Sequence, residues 1–524
     1  MQSWFTFELD GETCRVEKED IHRTLSDFLA ALDPGFSHFS DRSAWEGGGL
    51  VVMGDIENDR HRFRIVDTAL LLLPMLAGRQ IWTAEGIRNA EPEHPVNLAL
   101  RNEPIECGQD RFDAVVTLMF EGYYRPDLRR QGQINDQFDA VVTRTANVPA
   151  IRRVAAQVFA STEQLRHEAA QRAERSGEEA TVWTGRKDIF GDRFTGDLFK
   201  ISDRSTLNYV DGSKRRFHRP ANVVELLRLR REYPKSRLVA GCTGLARGDD
   251  GEEWPSLISL EAVKELNSFI TTEEEWEIGA AISLTEVAEH IGRECPSFNK
   301  ILRRFGSRAV RNRATLGGYL ATAWSAGQLS PLLMALNARV ILLSDEGERD
   351  APVSRFFTGN GGTILAPGEL IRSVVIPRSN ENVLGARGVT SRLCDVYSVG
   401  PRRNLCRPYA TGAFGIELRD SQVSKAWIAY SGIAESPVRA REAEDFLRGK
   451  TWNEKTVLEM LPILNESLEV ETSGDGDYRK QLVVTLFQKF FHQHPRPDSG
   501  RPVALTATGE FAKLDQPFFD ALPT

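Results

Sequence analysis

FGSRAVRNRATLGGYL, residues Phe305 to Leu320, is the stretch on which the reading of this chain turns. Three arginines and an asparagine lead into Thr315-Leu-Gly-Gly318, and ATAWSAGQLSPLLMALNARVILL follows. Ser330 and Pro331 are placed to start a helix, a capping hydroxyl followed by proline at the first helical position. A second glycine-bearing loop lies upstream, where the strand-like Arg237-Leu-Val-Ala240 runs into Gly241, Cys242, Thr243, Gly244 and Leu245. Small residues let a backbone approach a ligand closely, and main-chain amides in such loops cradle a phosphate without a basic side chain. Either loop alone also reads as a tight turn. Their order and surroundings decide between the two readings.

At 524 residues the chain is too long for one core and predicts two to four domains. Its 41% hydrophobic and 27% charged residues describe an ordinary soluble globular protein. A formal net charge of −8 argues against nucleic acid or a membrane surface as the main partner. The start, MQSWFTFELDGE, lacks the pattern of a signal peptide. The longest apolar run, Ala69 to Ala77, is too short to span a bilayer and reads as a buried helix. Six cysteines with no CxxC pair disfavour a disulfide framework and a zinc site, so a reducing cytoplasm is the expected location.

Along the chain, strand-like Trp4–Leu9, Leu50–Met53 and Phe63–Val66 surround a helical stretch Thr24–Leu32, which predicts a small α+β domain over residues 1–85. Residues 86–160 read as helices, and 161–215 as a charged linker. A further segment, 216–385, opens with helix Val223–Arg231 and continues through strands Pro255–Leu260 and Trp276–Ile282, with Thr285 placed to cap a helix. In 386–492 two strands, Ala413–Leu418 and Ser424–Tyr430, precede helices at 437–449, 453–466 and Asp477–Phe491. Residues 493–524 form a tail with scattered prolines and phenylalanines.

From about Arg219 to Phe491 the chain resembles the flavin subunit or domain of the xanthine dehydrogenase family of molybdenum hydroxylases. The resemblance rests on Leu238-Val-Ala-Gly241 with Thr243 and on Trp276-Glu-Ile-Gly-Ala-Ala with Leu284-Thr-Glu-Val287. Its most specific piece is Phe305–Asn312 with Ala314-Thr-Leu-Gly-Gly318, and Pro331–Leu336, Phe356-Phe357, Pro367-Gly-Glu369 and Asp477-Tyr-Arg479 keep the same order. It implies a two-lobed FAD-binding domain, then a smaller α+β domain of the CO dehydrogenase flavoprotein type. It also implies that Val239, Ala240, Gly241, Cys242, Thr243, Gly244 and Leu245 embrace the dinucleotide together with Thr315, Leu316, Gly317, Gly318, Tyr319 and Gln328. Arg403 falls where the family has a basic residue near the flavin, and equally reads as a solvated loop residue.

The N-terminal part resembles the family's iron–sulfur module, a β-grasp ferredoxin-like domain and a helical domain that each normally hold a [2Fe–2S] cluster. Its cluster ligands are missing. The family's cluster-binding run is here Asp41-Arg-Ser-Ala-Trp-Glu-Gly-Gly-Gly-Leu50, and the fourth ligand of that set falls near Ala69. In the helical domain Cys107 remains, but the other positions fall at about Asp110, Val142 and Arg144. Each cluster needs four ligands, normally thiolates, and Cys14 and Cys107 cannot supply two sets. Both clusters are therefore expected to be absent, and the chain has no portion for a molybdenum cofactor.

The flavin loops depart less. Cys242 and Gly244 stand where the family often has glycine or asparagine and then an acidic residue, and Tyr319 replaces an asparagine. Tyr319 and Trp324 are aromatic candidates to stack on a flavin or adenine ring, or simply to fill space. Two functions stay open. One is an FAD-binding oxidoreductase subunit, alone as a homodimer or beside a molybdenum-cofactor-binding large subunit. The other is a non-catalytic partner-binding subunit that has lost its cofactors.

Overall fold

A computed structural model describes residues 1–32, 49–57, 60–103, 105, 107–125, 128, 131–142, 148–176, 192–198, 206–244, 254–379, 391–401, 406–471 and 475–494. The first five strands are β1 (Trp4–Leu9), β2 (Glu12–Glu17), β3 (Leu50–Glu57), β4 (Arg60–Asp67) and β5 (Gln80–Trp82). They form one sheet in the order β2-β1-β5-β3-β4, with β1 and β5 parallel and the other pairs antiparallel, and the helix Leu25–Leu32 accompanies it. This is the mixed sheet of a β-grasp domain. Phe5 and Phe7 alternate inward as their period-two spacing requires. The run Ala69–Ala77 is not the buried helix expected of it. It folds as two short turns, Thr68–Leu70 and Leu73–Leu76, because Pro74 offers no amide to continue a helix.

Helices Ala84–Arg88, Pro95–Asn102, Gln109–Tyr124, Gln131–Val142 and Val148–Ser176 follow, so the helical expectation holds and the last helix extends well into the segment read as a linker. That segment also contains an anchor. In the short helix Arg193–Leu198, Phe194 is buried, with its ring 4.5 Å from Trp82 and 4.8 Å from Phe120. Asp192 accepts the Thr195 amide at 3.0 Å and the Tyr124 hydroxyl proton. Tyr124 in turn pairs with His94, whose Nδ1 accepts the Val96 amide at 3.2 Å, leaving Nε2 to carry the ring proton. Burial pushes the His94 pKa down to about 3, so the imidazole is neutral.

Beyond it come β6 (Leu207–Val210), β7 (Arg216–Arg219), β8 (Arg237–Val239) and β9 (Ser256–Ser259), in the order β6-β7-β9-β8, with helix Val223–Glu232 between β7 and β8. The second lobe holds β10 (Phe269–Thr271), β11 (Glu275–Gly279), β12 (Arg339–Ser344), β13 (Gly347–Pro352), the hairpin β14 (Phe357–Gly359) and β15 (Gly362–Thr363), and β16 (Leu370–Pro377). Its large sheet runs β10-β11-β16-β12-β13, antiparallel throughout. Two caps differ from expectation. Ser283, not Thr285, caps the helix Leu284–Ile291 in a reciprocal capping box with Glu286. Ser330 lies inside the helix Leu329–Ala335 rather than before it. Strands β17 (Ser391–Val399), β18 (Ala410–Arg419), β19 (Gln422–Ser431) and β20 (Val438–Arg439) form a meander covered by helices Arg441–Leu447, Glu454–Glu466 and Gly476–Gln493.

The N-terminal module is packed directly on the first lobe. One hydrophobic cluster joins Phe5, Phe7, Leu73 and Met75 to Tyr209, Phe217, Val239, Cys242 and Leu257. The arginines of the opening stretch complete the seam. Arg308 Nε donates to both Glu121 oxygens at 3.1 Å, Arg311 Nη2 to both Asp136 oxygens at 2.7 Å, and Asn312 Nδ2 to the Ile65 carbonyl at 2.9 Å. Buried cations persist only when paired in this way.

Candidate functional site

The two glycine loops meet. Strand β8 delivers Val239, buried among side chains of the N-terminal module, and Gly241 then presses against the second loop. A β-carbon on Gly241 would stand 1.6 Å from the Arg313 carbonyl oxygen, so only glycine passes. Cys242 has φ 61°, a left-handed conformation that costs a β-carbon-bearing residue roughly 1–2 kcal/mol. Its thiol is buried and lies 3.5 Å from the Met75 sulfur, and burial pushes its pKa up to about 12. Thr243 is half-buried and Gly244 exposed, and a β-carbon on Gly244 would stand 3.3 Å from Thr322 Cγ2. Among the described residues, the amides of Gly241, Cys242, Thr243 and Gly244 reach no protein acceptor. Leu245 lies outside the described residues.

The second loop is built differently. Thr315 is the N-cap of the helix Leu316–Ala321, its hydroxyl accepting the Gly318 amide at 3.1 Å. The Leu316 amide donates to the Ile282 carbonyl, that of Gly317 to Ala280 and that of Tyr319 to Thr315. All four amides from Leu316 to Tyr319 are thus in use. Leu316 is a core residue, and a β-carbon on Gly317 would lie 2.5 Å from Ala280 Cβ, so this glycine serves close packing. Of these four residues Gly318 alone is exposed, followed by exposed Ala321 and Thr322, and it is Thr322 that faces Gly244. Tyr319 turns into the core, against Phe305. Its hydroxyl accepts the amides of Leu329 and Ser330 at 3.0 and 2.9 Å and so does the capping expected of Ser330. Gln328 is buried too, its Nε2 donating to Ser398 Oγ at 3.1 Å on β17.

Behind the loops, toward the N-terminal module, lies a polar cavity of ≈ 70 Å³ lined in part by Met53, Arg64, Arg79, Gly241, Glu261 and Arg313. Arg313 Nη1 donates to Glu261 at 2.5 Å and its Nη2 to the Ala240 carbonyl at 3.3 Å, while Arg79 Nη2 sits 3.3 Å from the same glutamate. Burial by itself would raise the Glu261 pKa; the Arg313 and Arg79 charges overcome it and hold the carboxyl at about 2. Ligand pockets run to roughly 300–1,000 Å³, so this cavity has room for waters but not for a dinucleotide. The face left for a large ligand is the outer one, where Thr243, Gly244, Gly318 and Thr322 are accessible.

Sequence reasoning missed Met75, Arg79, Glu261 and Arg313. The only available signal was the density of arginines in Arg308-Ala-Val-Arg-Asn-Arg313, which a sequence cannot distinguish from a solvated basic turn. Of the expected cluster positions, Ala69 sits in the turn Thr68–Leu70 and Val142 ends its helix. Cys14 lies in β2 opposite Phe7. Residues 41–48, Arg144 and Arg403 lie outside the described residues. Among the described residues no three His, Cys, Asp or Glu side chains come together as a metal site. No helix there is long and apolar enough to cross a membrane.

Residues 212–379 match the FAD binding domain in molybdopterin dehydrogenase, and residues 395–494 the CO dehydrogenase flavoprotein C-terminal domain. The chain is 29% identical to Xanthine dehydrogenase 2 of Arabidopsis thaliana over 295 residues, covering 52% of this chain and 21% of that protein. It is 26% identical to Aldehyde oxidase 2 of Mus musculus over 354 residues, 63% of this chain and 26% of the relative. It thus spans about a fifth to a quarter of the length of these relatives. Among solved structures it aligns with a chain of quinoline 2-oxidoreductase from Pseudomonas putida 86 at 24% identity and a TM-score of 0.47, covering 53% of this chain and 95% of that one. Residues 212–379 and 395–494 thus match, in chain order, the two domains of a molybdopterin dehydrogenase-type flavoprotein.

Proposed function

We propose that this chain is the FAD-binding subunit of an oxidoreductase, with the cofactor's diphosphate on the outer face of the Gly241–Gly244 loop. The observation that carries this reading is the first loop itself. It keeps a left-handed turn at Cys242 despite the strain, and four successive amides there have no protein acceptor among the described residues. Consecutive free amides around such a turn are a receptor for phosphate oxygens. Gly318 and Thr322 supply the opposite wall, small enough for close approach. The residues present therefore fit a dinucleotide on the outer face and not in the inner cavity.

A bound flavin accepts a hydride or single electrons and passes them on. The chain's own residues bind and orient: the loop amides hold the diphosphate, and Arg313 fixes the loop from below through the Ala240 carbonyl. The second loop contributes shape rather than hydrogen bonds.

The N-terminal module holds no iron–sulfur cluster in this proposal, because the sequence lacks two sets of four ligands. Electrons then reach the flavin directly from a substrate or a partner. The relatives named xanthine dehydrogenase are several-fold longer than the stretch they share with this chain. We assign the remaining chemistry to a separate molybdenum-cofactor-binding large subunit, in a cytoplasmic assembly that suits six scattered cysteines with no CxxC pair. The test is the purified full-length protein. A flavin absorption spectrum, or a melting temperature raised by added FAD, supports the reading; colourless protein indifferent to FAD overturns it. Iron and acid-labile sulfide are measured alongside, and stoichiometric amounts overturn the cluster-free part.

A further inference from the structure

We propose that the N-terminal module is a working wall of the FAD site, and that Met75 is a positioning residue holding the strained Cys242 turn in its binding conformation. This rests on the FAD reading above. Left-handed backbone at a residue with a β-carbon persists only when its surroundings over-determine it. At Cys242 part of the surroundings comes from the other module. The side chain is buried in a cluster that joins Phe5, Phe7, Leu73, Met75 and Leu76 to Tyr209, Phe217 and Leu257 of the first lobe, and the contact its thiol makes, at 3.5 Å, is with the Met75 sulfur.

A second tie reaches the loop from the same side. Arg79 of the N-terminal module sits 3.3 Å from Glu261, Glu261 pairs with Arg313, and Arg313 holds the Ala240 carbonyl one residue before Gly241. Arg313 Nη2 also lies 3.8 Å from the Met75 sulfur. Met75 therefore touches both devices that set the loop's path. The three arginines lining the cavity behind it each pair with Glu261 or Glu286, and Asp55 adds a third carboxylate, so the wall acts by packing and hydrogen bonding and is not an anion site of its own.

The path of the Gly241–Gly244 backbone depends on Cys242 staying left-handed. A glycine at 242 adopts that conformation unaided and has no need of Met75. The two roles Met75 can have, general packing or support of the turn, separate on this point.

The experiment is a double-mutant cycle on the full-length protein, with FAD affinity read by quenching of flavin fluorescence. Met75→Ala is expected to weaken FAD about 10-fold, the size of effect seen when outer partners of a binding group are lost. In the Cys242→Gly background the same substitution is expected to cost less than about 2-fold, although it still lowers the melting temperature there. The visible circular dichroism of the bound flavin should change with Met75→Ala alone and return in the double variant. Asp136→Asn, which breaks the Arg311 pair elsewhere on the seam, should lower stability and leave FAD affinity unchanged.

An equal loss of affinity for Met75→Ala in both backgrounds overturns the inference while leaving FAD binding standing, as does no loss in either. If Met75→Ala does not fold, Met75→Leu, which conserves volume, is compared across the two backgrounds by the same criterion. A wild-type protein that takes up no FAD defeats the functional reading, and this inference with it.

Discussion

The two glycine loops are made of similar residues and solve opposite problems. In Thr315–Tyr319 every amide from Leu316 onward is spent on the protein, and Gly317 is small because Ala280 lies where its side chain would go. In Gly241–Gly244 the amides reach no acceptor among the described residues, and the support comes from Met75 and Arg79 of the N-terminal module and from the Arg313–Glu261 pair. Glycine thus marks packing in one loop and exposure of backbone donors in the other. What separates them is where the neighbouring carbonyls lie, which no local composition reports.

The largest expected effect tests the outside support. Removing residues 1–176 uncovers the apolar face of Tyr209, Phe217, Val239 and Leu257, so the remaining protein should aggregate, as judged by size-exclusion chromatography. A monodisperse fragment that keeps its flavin would erase the distinction between the loops.

Next comes Gly317→Val, which forces a branched side chain into contact with Ala280 and should cost about 3 kcal/mol in urea unfolding. Gly318→Val, on the exposed side, sets a β-carbon 2.8 Å from the capping Thr315 Oγ1 and should cost about 1 kcal/mol, less than Gly317→Val, while also weakening FAD binding. Equal losses of stability at the two positions would sink the account of the second loop.

A third measurement asks whether the N-terminal module can be stabilised without touching either loop. Burial raises the Asp67 pKa to about 7, against the opposing bond from the Ala69 amide. The folded state then binds the extra proton between about pH 4 and 7, and stability is lost as pH rises through that window. Asp67→Asn keeps an oxygen for the Ala69 amide and should flatten the curve, gaining on the order of 2 kcal/mol at pH 8 and little at pH 4. Melting curves across that range decide it, and a variant with unchanged pH dependence shows that Asp67 is ionised throughout.

The smallest effect belongs to Gly244→Ala. Its new methyl group stands 3.3 Å from Thr322 Cγ2 at the mouth of the site, so stability should move by less than about 0.5 kcal/mol while FAD binding weakens by about 1 kcal/mol, roughly 5-fold. Unchanged affinity would place the cofactor elsewhere.

Much of the fold was legible because period and punctuation were strong. Phe5, Phe7 and Leu9 alternate on β1, and the helix Val223–Glu232 begins where Asn222 caps it. The local errors share a cause, competition from distant groups. Pro74 broke an apolar run into turns, Tyr319 took over a cap assigned to Ser330, and Phe194 turned part of a charged linker into an anchor. In the site, the glycines showed that the backbone comes close to something. They did not show that Arg313 and Ala280 are what it comes close to at Gly241 and Gly317. Met75 and Arg79 were illegible because nothing near them in sequence refers to residue 242.

The anchor at Phe194 bears on where the chain can be cut. After the helix ending at Ser176, the backbone is already fastened again at Asp192 and Phe194, and residues 208–210 pair with Gln2 at the chain's own beginning. Two separately encoded polypeptides ending and beginning in the interval 177–191 should find each other and co-purify, because the contacts among the described residues that hold the halves together survive the break.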